Sequence, residues 1–427
     1  MTTPATDARA PRGPELIARI MDPAVRADPY PVLARIRELG VARLGPSTVV
    51  VSSYADCAAL LRDSEASVER RNAAIPMGEM PIHDVVGERA GELAGVAHFL
   101  FRDPPDHTRL RRLVSAAFSP AVVRRLGPRI QTIVDDAFDR ATAAGSLDIV
   151  ADLAYPLPIT VICELLGVPL DDEPRLREWS ALVSRTLDPT SSSTAAYRPD
   201  AGKLVRANNE LHDYFDRLAH TRRATPGPDL LSALIAVEDS GDTLTHEELI
   251  ATCGLLLLAG HETTVNLIAN AVLALLRHPR HLDTLRADPG FVSKIVEETL
   301  RYDPPVQLVP RIAREAITLG DDQIARGDLV IALLAAANRD PAAFPDPDVF
   351  DPDRDTRHLA FGLGPHFCLG APLARQEAQL ALTRFAQRVT DARLSVDPPP
   401  YREHVNLRGP ARLPLAYKVI GPRTVPW

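Results

Sequence analysis

Ten residues toward the C-terminal end constrain this chain more than any other stretch: Phe361-Gly362-Leu363-Gly364-Pro365-His366-Phe367-Cys368-Leu369-Gly370. Glycine admits positive φ and close backbone approach, so the segment bends and can wrap a partner. After it, Leu369, Leu373, Ala374 and Leu380 form an apolar stripe at helical spacing among good helix formers. Cys368 therefore precedes a helix N-terminus, where backbone N–H groups and the dipole favour a thiolate. A lone cysteine is more often a small buried hydrophobe. The spacing around Cys368 tips the reading toward a metal ligand or a nucleophile.

Composition narrows the field. The chain has 427 residues, which by length alone allows two or three domains. Its motifs are spread so evenly that we expect one domain over 14–427, preceded by a disordered polar tail over 1–13. Hydrophobic content is 45% and charged content 24%, ordinary for a globular protein. A net charge of −8 offers no global basic surface for nucleic acid. The start of the chain has no apolar core, and the longest apolar run, Gly254 to Gly260, is too short to span a bilayer. Cys57, Cys163, Cys253 and Cys368 have no paired spacing, so neither a disulfide framework nor a cysteine zinc site is expected. A cytoplasmic protein without a membrane anchor is expected.

Several helices are legible in order. Residues 14–40 carry helical spacing, Val49-Val50-Val51 with Leu44 reads as part of a small sheet, and Ala55 to Leu61 reads as a brief helix. Residues 70–98 lose all periodicity, which marks a long functional loop. Asp103 is a candidate N-cap for a helix entered through Pro104, with His107 and Arg111 four apart on one face. Amphipathic helices follow over 120–240, one of them interrupted at Pro156-Leu157-Pro158. A breaker-rich hinge at 188–194 suits a lid or an inert surface loop equally well. Leu329 to Ala337 is β-rich, and Asn406 to Pro410 reads as a terminal turn.

The long central helix starts at Thr245, with Glu248 completing a capping-box pattern, and runs to about Leu276. Its middle is apolar all round and then abruptly polar: Leu255-Leu256-Leu257-Leu258-Ala259-Gly260-His261-Glu262-Thr263-Thr264. A charge in a buried helix is expensive unless paired or functional. His261-Glu262 begins a zinc-protease pattern, but Val265 stands where the second histidine is required. Thr263 can bond back to the carbonyl of Ala259, which bends a helix. Glu298 and Arg301 lie at i,i+3, a pairing that is usually an exposed surface contact.

Phe361, Gly364, His366, Cys368 and Gly370 together resemble the haem-binding signature of the cytochrome P450 family. Ala259-Gly260-x-Glu262-Thr263 resembles that family's oxygen-activation motif, and Glu298-x-x-Arg301 its buried ion pair. The resemblance covers residues from about 14 to the C-terminus. It implies a mostly α fold with a small β-rich region, a triangular prism-like helical domain around haem.

Cys368 would then be the axial thiolate of the haem b iron. Phe361 and His366 would line the haem, and His107, Arg111 and Arg311 would clamp its propionates. Ala259 and Gly260 would leave room for O2, with Thr263 donating a hydrogen bond to it and Glu262 relaying protons from solvent. Arg354 would join Glu298 and Arg301 behind the haem. Leu255, Leu258, Leu308, Val309 and Leu407 would line the substrate pocket.

No Cys-x-x-Cys-His is present, so covalent attachment of haem is not expected. The implied reaction is monooxygenation, by hydroxylation or epoxidation, of a bulky apolar small molecule in secondary metabolism. Electrons would come from NAD(P)H through ferredoxin reductase and a ferredoxin docking near the arginines of 109–129, and the protein would act as a monomer. Two other readings stay open: a peroxygenase or oxidative coupling catalyst on the same fold, and a non-catalytic haem-binding module.

Overall fold

Prolines and short polar side chains set where the helices of this chain begin. The structure is a computed structural model that describes residues 13–74, 98–184, 201–239 and 244–423. The expected tail over 1–12, most of the 70–98 loop and the 188–194 hinge lie outside the described residues.

Fourteen α-helices are present among the described residues. The first four are α1 (Gly13–Ile20), α2 (Tyr30–Arg37), α3 (Tyr54–Arg62) and α4 (Asp106–Ser115). Next come α5 (Pro120–Ala144), α6 (Pro156–Leu166), α7 (Glu173–Val183), α8 (Ala201–Ala224) and α9 (Leu230–Asp239). The last five are α10 (His246–Arg277), α11 (Pro279–Ala287), α12 (Val292–Tyr302), α13 (Leu334–Ala337) and α14 (Ala371–Arg388).

The helical stretch Ile149–Leu166 breaks at Pro156 as expected: a π-helical segment, Ile149–Ala154, gives way to α6, which Pro156 opens. Two local expectations are corrected. Asp103 is not an N-cap. Helix α4 begins at Asp106, and the Asp103 carboxylate instead accepts the Val68 N–H at 3.0 Å and the Ser67 hydroxyl at 2.5 Å. Only Leu329–Ala332 of the β-rich stretch is a strand; Leu334–Ala337 turns helical and is buried.

The main sheet has five strands: β1 (Ala42–Gly45), β2 (Thr48–Val51), β3 (Ala66–Ser67), β4 (Val309–Ala313) and β5 (Leu329–Ala332). Their order is β1-β2-β5-β4-β3, with β2 and β5 parallel and the other pairs antiparallel. All three valines of β2 are buried because both faces of the sheet are covered. Val49 and Val51 face one cluster with Val330 and Leu359, and Val50 faces another with Leu16, Tyr30 and Leu33. That split is the period-2 alternation of a strand.

The larger core is helical. Helix α10 runs through it and packs on α6, α8, α12 and α14, so it is apolar nearly all round. The capping box forms as expected: Thr245 Oγ1 accepts the Glu248 N–H at 3.2 Å, and Glu248 Oε2 accepts the Thr245 N–H at 3.0 Å. Two helical stretches, Ile149–Leu166 and His246–Arg277, are long and apolar enough to cross a bilayer, yet both lie mostly buried in this core.

The start of α10 is also clamped by charge. His246 Nε2 lies 2.7 Å from Asp216 on α8 and Nδ1 lies 3.1 Å from Glu238 on α9. Arg223 also reaches Glu238, and His220 stands 3.8 Å from Asp216. Burial alone would lower the His246 pKa. The hydrogen bonds and charges of Asp216 and Glu238 outweigh it and hold the group above its ordinary 6.5. A raised histidine contributes stability that is complete below its unfolded pKa and is lost as pH rises through the folded one. The melting temperature should therefore fall more for wild type than for His246→Gln between about pH 6 and about pH 9; parallel falls would contradict the clamp.

Candidate active site

The loop around Cys368 is shaped by its own backbone. The Gly362 N–H donates to Leu359 O and the Cys368 N–H to Phe361 O, both at 2.8 Å. Gly364 takes φ +68°, and a Cβ there would stand 2.5 Å from Leu61 O, so only glycine fits. Helix α14 starts three residues after the cysteine. Cys57, Cys163 and Cys253 are fully buried and inert, whereas Cys368 is only half-buried.

Burial raises the Cys368 thiol above its ordinary pKa, and the N–H groups of Gly370 and Ala371 with Arg111 and Arg375 only partly offset it. The N–H groups at the helix start favour the thiolate, as its position predicts, while burial opposes them; a bound metal cation would act with the N–H groups.

Behind the loop sits a buried ion network. Arg301 donates to both oxygens of Glu298 at 2.7 and 2.8 Å, and neither side chain has any exposure. The same guanidinium donates to the carbonyls of Asn338, Pro347 and Val349. Glu298 also accepts the Asp351 N–H at 2.8 Å, and Arg354 Nε stands 3.9 Å from it while Nη2 holds the Asp346 carbonyl. Asn338 joins this network to the cysteine loop, because its Oδ1 accepts the Leu359 N–H at 2.7 Å. A second brace was not anticipated: Glu297 pairs with Arg375 and His358, and Arg375 lies over the Phe361 ring at 4.6 Å.

Across from the loop, α10 is buried on both sides of one opening. Ala259 is exposed although Leu255–Leu258 before it and His261 and Glu262 after it are buried. Thr263, one turn on, donates to Ala259 O at 3.0 Å. A Cβ at Gly260 would touch the Ile162 side chain of α6 at 3.4 Å, so this position lies against that helix. Glu262 is almost wholly buried and paired with Arg402, from the loop after α14. Burial raises its carboxyl, against the pull of Arg402 and Arg177. The Glu262 side chain is 5% exposed and that of its partner Arg402 15%. His261 is buried beside it, pushed down to about 3 by burial and by Arg402 and Arg177.

Of the three donors expected to hold propionates, His107 is the one without an acceptor among the described residues. Both ring nitrogens of His107 are buried and unpartnered. Arg311 is buried, donates only to its own neighbour's carbonyl at 2.8 Å, and is lowered to about 10 by that burial. The His366 ring lies 4.1 Å from that of His107, and burial with His107, Arg311 and Arg111 lowers it to about 3. Arg111 departs from the set and donates to Phe367 O at 2.6 Å. The orphaned nitrogens of His107 and the buried charge of Arg311, which no carboxylate pairs among the described residues, call for an anionic partner, and a single half-buried thiol in the same loop as His366 fits a metal held by one protein ligand. The residues present fit haem.

The predicted pocket residues divide. Leu255 and Leu258 belong to the helical core, and Leu407 is buried and bridged to Val306. Val309 packs on one sheet cluster and Leu308 on the other, with Leu33 and Leu333. Alternation along the strand turns Leu308 away from Val309, so Leu308 is corrected to the N-terminal cluster. Arg109, a candidate docking cation, is engaged by Glu248 at 2.5 and 3.1 Å, which leaves Arg112, Arg124 and Arg125 as the exposed ones of that region. Arg402 and Asn338 escaped sequence reasoning because their partners lie far away in the chain.

A protein with this helical fold, a cysteine loop of this shape and the unmet His107 donors near a buried arginine is a haem-thiolate protein. The Cytochrome P450 family model matches residues 45–289 and 290–410. Cytochrome P450 monooxygenase PikC of Streptomyces venezuelae is 42% identical over 404 residues, 92% of each chain. Polyketide biosynthesis cytochrome P450 PksS of Bacillus subtilis is 35% identical over 91% of this chain and 96% of its own. The ligand-free crystal structure of Mycobacterium smegmatis CYP164A2 superposes with a TM-score of 0.86 at 48% identity, covering 94% of this chain and all of the other. The chain belongs to the cytochrome P450 family. It is a monooxygenase that uses haem b and O2, with electrons reaching it from NAD(P)H through redox partners, and it acts on a small molecule.

Removing Glu298 strands a fully buried guanidinium. Glu298→Ala should cost about 3–5 kcal/mol in denaturant unfolding, far more than an exposed i,i+3 pair. A loss below about 1 kcal/mol would place the pair outside the core.

Proposed function

We propose that this chain is a cytoplasmic monomer with one catalytic domain over 14–427, oxidising a bulky, largely apolar metabolite by hydroxylation or epoxidation. Ferredoxin reductase and a ferredoxin would supply it with electrons. The observation that carries the reading is the half-buried Cys368 two residues beyond His366, whose ring lies against the unpartnered imidazole of His107. The kinship with PksS, named for polyketide biosynthesis, supports a secondary-metabolite substrate.

In this reading Cys368 ligates the haem iron, and the haem supplies the redox chemistry that activates O2. His107 and Arg311 hold propionates, while His366 and Phe361 pack beside the macrocycle. Arg111 fastens the cysteine loop through Phe367 O. Ala259 leaves the opening on α10, and the Thr263 hydroxyl, already turned toward the Ala259 carbonyl, presents a hydrogen bond there. Glu262 holds a proton readily because burial raises it, and the Arg402 pair must part before that proton can move. Leu255, Leu258, Val309 and Leu407 give apolar walls. Arg112, exposed on α4, offers a cation to an acidic ferredoxin.

Three outcomes test this. Titrating ferric protein with a panel of macrolides, terpenoids and peptides should give a low-to-high-spin shift with one chemical class; silence across the panel would overturn a free apolar substrate. Cys368→Ser should abolish the long-wavelength Soret band of the reduced carbonyl complex, which reports thiolate ligation. Thr263→Ala should lower product formed per NAD(P)H by at least about tenfold. Peroxide-driven turnover undiminished by that change, without any NAD(P)H-driven turnover in wild type, would favour a peroxygenase.

A further inference from the structure

Two consecutive backbone amides lead into the cysteine loop, and different networks hold them. The Leu359 N–H donates to Asn338, which belongs to the buried Arg301 network, whereas the Ala360 N–H donates to His358 Nδ1 at 3.2 Å. Because Nδ1 accepts, the ring proton sits on Nε2, which lies 3.1 Å from Glu297 Oε2. Glu297 also takes both arms of Arg375, at 2.6 and 2.8 Å, the planar match of guanidinium and carboxylate. That guanidinium lies over the Phe361 ring at 4.6 Å, and the Phe361 carbonyl accepts the Cys368 N–H at 2.8 Å.

The same residues act on the cysteine by charge. Arg375, on α14, is one of the two cations that favour the Cys368 thiolate. Burial raises the Glu297 carboxyl, but the hydrogen bonds of Arg375 and His358 outweigh it and hold the group down to about 2. Glu297 is therefore a carboxylate at neutral pH and offsets part of the Arg375 charge. The Glu297 and Arg375 side chains are 30% and 31% exposed, and a pair that exposed adds little to stability. Its fork, its stack on Phe361 and its buried histidine fix position and charge instead. An electron added near such a pair is stabilised by the cation and opposed by the anion.

We propose that Glu297, Arg375 and His358 are positioning residues for the iron ligand. Arg375 and His358 fix the Phe361 segment whose carbonyl holds the Cys368 N–H, and the balance of Arg375 against Glu297 sets the potential at which the haem is reduced. The proposal rests on Cys368 as that ligand, which the reduced carbonyl spectra of wild type and Cys368→Ser decide separately.

Electrochemical titration of the ferric/ferrous couple in the holoenzyme tests it, with the reduced carbonyl band read on the same samples. Glu297→Gln leaves Arg375 unopposed and should raise the ferrous-to-ferric ratio at a fixed electrode potential by at least about threefold. Arg375→Gln leaves Glu297 unopposed and should lower that ratio by at least about threefold. Glu297→Asp keeps the carboxylate and should stay within about twofold of wild type. Arg375→Lys keeps the charge but not the fork or the stack, so its ratio should also stay within about twofold while a larger share of its carbonyl complex loses the thiolate band. A loosened loop would move both charge-removing variants the same way; opposite signs are the mark of charge. Shifts of one sign in both, no shift in either, or an undiminished thiolate band in Arg375→Lys would overturn the proposal. A wild-type protein without the thiolate band would defeat the ligand reading itself, and this proposal with it.

Discussion

Arg301 controls the reactive loop without touching its cysteine. Its guanidinium is bonded to Glu298 and to the carbonyls of Asn338, Pro347 and Val349, so one buried charge gathers three chain segments. Burying such a pair is favourable only when the remaining donors find acceptors, and here they find backbone. Asn338 passes the constraint on by holding the Leu359 N–H, and Leu359 O in turn accepts the Gly362 N–H. The cysteine loop is therefore bolted from behind.

The same molecule treats polar groups in two opposite ways. Structural charges are met several times over: Arg388 reaches Asp135, Asp139 and Gly421 O, and Arg339 lies over both Tyr30 and Tyr302. Both ring nitrogens of His107 are buried and unmet, and buried Arg311 has the Pro310 carbonyl as acceptor but no carboxylate among the described residues. An unmet buried donor is costly, so its persistence beside Cys368 marks a place completed by an anionic group. Helix α10 shows the corresponding contrast in packing, closed by Ile162 at Gly260 and open at Ala259.

Much of this was legible because it is local. The capping box at Thr245, the bond from Thr263 to Ala259, the bends at Gly362 and Gly364 and the helical stripe after Cys368 each depend on residues a few positions apart. Where local rules compete, the reading failed. Asp103 has the chemistry of an N-cap, yet the Ser67–Val68 strand end claimed its carboxylate. Leu308 and Val309 are adjacent and similar, and only the pleat of β4 sends them to opposite clusters.

The sequence by itself determined the class of chemistry, since a thiol in a glycine-bent loop before a helix and a polar break in an apolar helix are short-range patterns with few uses. It also determined where most helices start. Tertiary structure alone decided the partners of the charges: Arg402 with Glu262, Arg109 with Glu248, Arg375 with Glu297. A guanidinium accepts almost any carboxylate equally well, so which one it meets depends on how the chain brings distant segments together.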